Sequence, residues 1–71
     1  MELYYETSLS AYILIREVSK ELDIHESPEE SKKNGNAKRI INECYRKIEK
    51  RYPDKNDQEK LKKYISNIFS H

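Results

Sequence analysis

The sequence predicts a small all-α domain of three helices, the last two of which form an antiparallel hairpin. Apolar residues recur with helical spacing in three segments, which place the helices near residues 3–23, 37–52 and 57–69. Pro53 separates the second helix from the third, and the link between them is only about five residues long. Helices joined by so short a link run antiparallel. We expect residues 1–71 to form a single domain.

Length and composition limit how large the core can be. A chain of 71 residues buries only about 60% of the surface that its unfolded form exposes, so a partner or a second copy could complete the packing. Charged residues make up 38% of the chain and hydrophobic residues 35%, a composition close to that of disordered proteins. The helical periodicity is what favours folding.

Charge is distributed unevenly along the chain. Residues 1–30 contain eight acids and two bases, which gives −6, and residues 31–71 contain five acids and twelve bases, which gives +7. The two halves could attract each other within the fold, and their near cancellation favours this interpretation. Alternatively, the basic half could face an acidic partner or a phosphate backbone.

The first predicted helix has apolar residues on two sides. The set expected to face the core comprises Tyr4, Ala11, Leu14, Ile15, Val18 and Leu22. The second set, predicted as a self-association surface unless it packs on the other helices, comprises Tyr5, Leu9, Tyr12 and Ile13. A cap near Ser8 offers an alternative start, in which residues 2–6 would be extended.

Residues 25–36 contain no large apolar side chain, so we expect them to be exposed and outside the core. Ser27-Pro28-Glu29-Glu30 has the serine cap, the proline and the glutamate that begin many helices. Gly35 indicates a helix end or a left-handed turn. The segment is therefore either a short helical turn near residues 28–34 or a mobile loop.

The second and third helices have clear caps and apolar faces. Asn36 is predicted to cap the second helix, which Pro53 should end near Tyr52, and Asn56 or Asp57 is predicted to cap the third. The apolar face of the second helix comprises Ala37, Ile41, Cys44, Ile48 and Tyr52. The apolar face of the third helix comprises Leu61, Tyr64, Ile65, Ile68 and Phe69.

Away from its apolar face, the second helix has a series of cations. They are Arg39, Arg46, Lys47, Lys50 and Arg51. Such a series is either a solvated helix face or a binding surface for an acidic partner. Pairing of Glu43 with Lys47, and of Glu49 with Arg46, would reduce the positive field.

The end of this helix resembles the J-domain of DnaJ-like co-chaperones. The family has a Tyr-Arg-Lys-Leu type segment followed by a Tyr-His-Pro-Asp-Lys-Asn type loop, and this chain has Tyr45-Arg46-Lys47-Ile48, Tyr52 and Pro53-Asp54-Lys55-Asn56. Leu22-Asp23-Ile24 also resembles the Leu-Gly-Val type end of the family's first helix. The chain departs from the family in having no histidine between Tyr52 and Pro53, and in being several residues longer before Tyr45.

The resemblance implies a J-domain-like fold and a protein partner. In the family, the basic helix binds an acidic surface of a DnaK-type chaperone, and the His-Pro-Asp loop triggers ATP hydrolysis. Without the histidine, the resemblance implies a non-catalytic interaction module with a defective trigger loop. Its partner-binding residues would be Arg39, Arg46, Lys47, Lys50, Arg51, Pro53, Asp54 and Lys55.

No pattern of residues indicates catalysis, a cofactor or a metal. Cys44 is the only cysteine and is expected to be buried, His25 and His71 are far apart in sequence, and Gly35 is the only glycine. We therefore predict a protein that is not an enzyme. No segment approaches the length of a membrane span, and the single cysteine is typical of a reducing, cytoplasmic setting.

A nucleic-acid-binding protein is the alternative hypothesis. The basic faces of the second and third helices would contact phosphates, and Tyr52 or Tyr64 would stack on bases. The acidic first thirty residues and the low net charge oppose it.

Overall fold

The computed structural model describes the backbone of residues 2–70 and the side chains of residues 8–70. Within these residues the chain forms helices and no strand. The helices are α1 (Glu2–Glu21), α2 (Pro28–Lys33), α3 (Ala37–Arg51) and α4 (Lys55–Ile68). The predicted all-α class is confirmed, and a short helix is added between the first and second predicted ones.

Helix α1 begins at Glu2, so the alternative start near Ser8 is wrong. It ends at Glu21, two residues earlier than predicted, because Asp23 has a φ of 58° and so lies in the left-handed region. The amide of Ile24 donates to the carbonyl of Ser19 at 2.8 Å, the bond of a Schellman helix end. This turn directs the buried Ile24 back into the core.

The core lies where α1, α3 and α4 pack against one another. Its buried apolar residues are Ala11, Leu14, Ile15, Val18, Ile24, Ile40, Cys44, Ile48, Leu61, Ile65 and Phe69. The predicted apolar face of α3 is wrong at one position. Ile40, which is 1% exposed, lies in the core, whereas the predicted Ile41 is only partly buried. Cys44 is buried as predicted.

The segment predicted as either a loop or a helical turn contains α2. The Ser27 hydroxyl accepts a hydrogen bond from the amide of Glu30, whose carboxylate accepts from the amide of Ser27, so the predicted capping box is confirmed. Gly35 has a φ of 80°, as predicted for a left-handed turn. The expectation that the whole segment would be exposed is wrong for Ser31, which is fully buried.

Glu26 organises the connection from α2 to α3. Its carboxylate accepts hydrogen bonds from the Ser31 hydroxyl at 3.2 Å, from the Asn36 amide group at 3.1 Å and from the Asn34 amide group. The bonds from Asn36 and Asn34, and to a smaller extent the bond from Ser31, hold the pKa of Glu26 below its usual range. Asn36 precedes α3, as predicted, but its side chain binds Glu26 and caps no amide of the helix.

The α3–α4 hairpin has a tighter turn than the sequence indicates. Helix α3 ends at Arg51, with Tyr52 as its cap, and the Asp54 carboxylate accepts from the amide of Asn56 at 2.7 Å. Asp54 rather than Asn56 or Asp57 therefore caps α4, which begins at Lys55. The link is residues 52–54, and the Gln58 side chain donates to the Tyr52 carbonyl at 2.6 Å across it.

Candidate interaction surface

The cations of α3 fall into two rows. The inner row, Lys47 and Arg51, lies one helical turn apart on the side that faces α1. The outer row, Arg39, Arg46 and Lys50, lies on the exposed side of the helix. The structure thus divides the five cations of the sequence-predicted surface according to their neighbours.

The inner row binds the acidic residues of α1. The Arg51 guanidinium donates to both carboxylate oxygens of Glu17, with Nη1–Oε1 at 3.1 Å and Nη2–Oε2 at 2.5 Å. Lys47 Nζ lies 3.1 Å from Glu21 Oε2 and 3.8 Å from Glu17 Oε2. The two-point bond to Arg51 lowers the pKa of Glu17 and raises that of Arg51. Attraction between the acidic and basic halves within the fold is therefore confirmed.

The outer row remains open to solvent. The Arg46 side chain is 69% exposed, and its only ion pair with a described residue is a 3.5 Å contact with Glu43 one turn earlier. Arg39 and Lys50 are exposed and form no ion pair with residues 8–70. The outer row therefore retains most of its positive field.

The two ion pairs predicted within α3 are both wrong. Glu43 contacts Arg46 and not Lys47, since Lys47 is taken by α1. Glu49 binds Lys62 of α4 at 2.8 Å and does not bind Arg46. Lys47 and Glu49 pair instead with residues of α1 and α4. Spacing within α3 alone cannot predict such pairs.

A mixed cluster joins α3 to α4. Lys62 Nζ lies 2.8 Å from Glu49 Oε2 and 5.4 Å from the centre of the Tyr45 ring, a cation–π contact. The Tyr45 hydroxyl donates to the carbonyl of Lys62 at 3.4 Å. The bond to Lys62 lowers the pKa of Glu49. These contacts neutralise Lys62 and connect the two helices of the hairpin.

The surface next in sequence to the cationic helix includes Pro53 and Asp54 of the loop and Lys55, the first residue of α4. Pro53 is exposed and separates the two helices, whereas the Asp54 carboxylate is used as the helix cap. The loop therefore has a structural role that is complete without a partner. A partner could still contact Lys55, which is exposed.

An apolar patch lies on the outward side of α1. Leu9, Tyr12 and Ile13 are 47%, 51% and 56% exposed, although their residue types favour burial. Packing within the fold therefore leaves about half of each of these three side chains exposed. The side chain of Tyr5, the fourth predicted member, lies outside the described residues. We use "apolar patch" for Leu9, Tyr12 and Ile13.

The remaining reactive side chains are not brought together. Burial raises the pKa of the Cys44 thiol to about 12, which keeps it protonated and unreactive. His25 contacts Asp23 at 2.8 Å on the surface, and His71 lies outside the described residues. Across the part of the chain that the structure describes, no three His, Cys, Asp or Glu side chains form a group that could hold a metal ion.

None of the helices formed by residues 2–70 combines the length and apolar character that crossing a membrane requires. Comparison of the chain with protein-family models, with curated proteins and with solved structures found no match.

Proposed function

We propose that this protein is a non-catalytic interaction module that uses the outer row of α3 to bind an acidic surface of a partner protein. One observation carries the proposal. On a single helix, Lys47 and Arg51 are engaged within the fold, whereas Arg39 and Lys50 have no ion pair with residues 8–70. The exposed cations are available for an external acidic group.

The outer row extends over most of the length of α3. From Arg39 to Lys50 is eleven residues, or about 16 Å along the helix axis. Exposed charges of this kind mainly accelerate and orient the encounter, and salt screens them over about 10 Å at moderate ionic strength. We therefore expect weak binding that falls as salt rises.

A DnaK-type chaperone is the partner that the J-domain resemblance implies. Two features of the structure support this candidate: the antiparallel α3–α4 hairpin and the exposed Pro53 loop. Asp23, with its positive φ, also occupies the position of glycine in the family's Leu-Gly-Val type segment. Because the loop lacks the histidine, we expect binding without stimulation of ATP hydrolysis.

Nucleic-acid binding has weaker support. Lys62 is paired with Glu49, and Tyr52 and Tyr64, the two candidates for base stacking, are both half-buried. A protein partner needs only the outer row, whereas a nucleic acid would need both basic faces and free aromatic rings. Binding to any DNA with a steep salt dependence would favour this second function.

The binding test compares two triple variants that remove the same charge. One replaces the outer row (Arg39→Gln, Arg46→Gln, Lys50→Gln), and the other replaces exposed lysines elsewhere (Lys33→Gln, Lys60→Gln, Lys63→Gln). We expect the outer-row variant to weaken binding to the cognate DnaK-type chaperone about tenfold, as a few exposed charge contacts allow. The control should bind almost as wild type. Equal weakening would contradict a specific role for the outer row.

The activity test concerns the missing histidine. We expect wild type to leave single-turnover ATP hydrolysis by the chaperone unchanged, and insertion of histidine between Tyr52 and Pro53 to introduce stimulation. Asp54→Asn in the insertion variant should abolish it while keeping the fold, because asparagine also caps helices well. Stimulation by wild type would show that the histidine argument is wrong. If no variant binds or stimulates, the proposal of a DnaK-type partner for the outer row is contradicted.

A further inference from the structure

One stripe along α1 combines Leu9 and Ile13 of the apolar patch with charged residues on both sides of them. Stepping along the helix by four, three, four, three and four residues gives Glu2, Glu6, Leu9, Ile13, Arg16 and Lys20. These gaps keep the six positions on one side of a helix. In order, the stripe contains two acids, two apolar residues and two bases. The side chains of Glu2 and Glu6 lie outside the described residues, so these two enter by spacing alone.

The stripe is complementary to its own reverse. In an antiparallel pair of such helices whose two-fold axis is level with residue 11, positions whose numbers add up to 22 lie opposite each other. Glu2 then lies opposite Lys20, Glu6 opposite Arg16, and Leu9 opposite Ile13. In a parallel pair, acids would lie opposite acids and bases opposite bases, which is unfavourable.

We propose that the protein forms a homodimer in which α1 of one copy packs antiparallel on α1 of another, with the apolar patch at the centre. The two-fold axis passes near residue 11. Leu9 of each copy packs on Ile13 of the other, and the two Tyr12 rings lie on the same edge of the interface. The outer row of α3 takes no part in the interface, so the dimer does not depend on the proposed function.

The bases of the stripe are available for this pairing. Arg16 and Lys20 are exposed and form no ion pair with residues 8–70. The other acids of the helix, Glu17 and Glu21, are bound by the inner row of α3 and do not compete for them. The helix thus has one side neutralised within the fold and another whose two cations form no ion pair with residues 8–70.

A second copy suits this surface better than an unrelated partner, because its charges are matched on both sides of the patch. An apolar patch of three residues alone would select for little beyond hydrophobicity. The flanking charges fix both the direction and the register of the helix that covers it, and the sequence of α1 itself supplies the matching order.

Charge exchange tests the antiparallel arrangement, with dimerisation measured by sedimentation over a range of concentrations. Arg16→Glu places like charges opposite each other and should weaken the dimer about tenfold. Adding Glu6→Arg to the same chain restores opposite charges and should recover most of the affinity. Lys33→Glu, away from α1, is the matched control and should have no effect. Failure of the double variant to recover would overturn the register.

Two further variants test the patch and the axis. Leu9→Glu with Ile13→Glu should give a folded monomer, because both side chains are exposed in one copy. Circular dichroism checks the fold, and unfolding of this variant would show instead that the two residues are core. Tyr12→Cys should form a disulfide-linked dimer on mild oxidation, whereas Lys33→Cys should not. Cys44, which is buried with a raised pKa, does not interfere. A wild type that stays monomeric at every concentration would overturn the proposal.

Discussion

The inner and outer rows of α3 contain the same residue types on the same helix and differ only in what lies beside them. Lys47 and Arg51 face α1 and bind Glu17 and Glu21. The outer-row cations face solvent, where Arg46 is 69% exposed. A series of cations in a sequence therefore has no single role, and the neighbouring helix decides which of its members remain available.

The comparison also explains how a nearly neutral chain can present a cationic surface. The acidic first half neutralises only the side of α3 that it contacts, because the attraction between charges falls quickly with distance and with screening by water and salt. The side of α3 that α1 does not reach keeps its charge. A net charge of +1 consequently says little about either row.

The largest effect is expected from the core residue that holds both rows in place. Ile48 of α3 is fully buried in the core, and Ile48→Ala should lower the free energy of unfolding by roughly 2–5 kcal/mol through lost burial and a cavity. Chemical denaturation measures the change. The control, Ile41→Ala at a partly buried position, should cost clearly less. Equal losses would mean that the register of α3 is not as described.

The second largest effect is expected from reversing a charge in the inner row of α3, which should lower the stability of the fold more than the same reversal in the outer row. Arg51→Glu would place a carboxylate beside Glu17 where a two-point bond now exists, and should lower the melting temperature by a few degrees. Arg46→Glu changes the charge by the same amount on the outer row and should alter the melting temperature much less. Thermal unfolding at low salt checks both, and a larger loss for Arg46→Glu would reverse the assignment of the rows.

A smaller effect should appear with pH. Because Arg51 holds the pKa of Glu17 below its ordinary value of 4.5, the folded state favours the charged carboxylate. This contribution to stability is present above pH 4.5 and is lost as the pH falls through the lowered pKa of the folded state. Glu26 and Glu49, whose pKa values are also lowered, add losses of the same sign.

The control for this pH effect is Arg51→Gln, which removes the two-point bond to Glu17 and leaves only Lys47, at 3.8 Å, as a cation beside it. Its thermal stability should fall less steeply with acid than that of wild type, while the losses from Glu26 and Glu49 persist. An unchanged pH profile in Arg51→Gln would mean that the Glu17–Arg51 bond contributes nothing to stability in solution.

Much of the fold could be predicted from local signals. Periodicity located the three long helices, and the Ser27 capping box, the left-handed Gly35 and the Pro53 break all occur where the residue types indicate. Each of these features depends on residues within a few positions of one another. Local chemistry is therefore sufficient to predict them.

The features that were missed are of two kinds: local side-chain contacts that helical periodicity does not reveal, and ion pairs between helices that are distant in sequence. The burial of Ser31 requires Glu26 to accept its hydroxyl hydrogen, and the cap of α4 falls on Asp54 because the loop is shorter than expected. The inner row had a usable signal: acids at 17 and 21 and bases at 47 and 51 share a spacing of four. Antiparallel packing of α1 and α3 brings the two pairs together, but only the tertiary fold shows that they meet.

Residue-by-residue NMR mapping tests the central claim most directly, namely that the outer row binds a partner and the inner row holds the fold together. The isotope-labelled protein would be titrated with the cognate DnaK-type chaperone at low salt and again at high salt. We predict that signals from Arg39, Arg46, Lys50 and residues 53–55 shift or broaden at low salt and recover at high salt. Signals from Lys47, Arg51 and α2 should stay unchanged. Changes confined to the inner row or to the apolar patch, or no change at all, would contradict the claim.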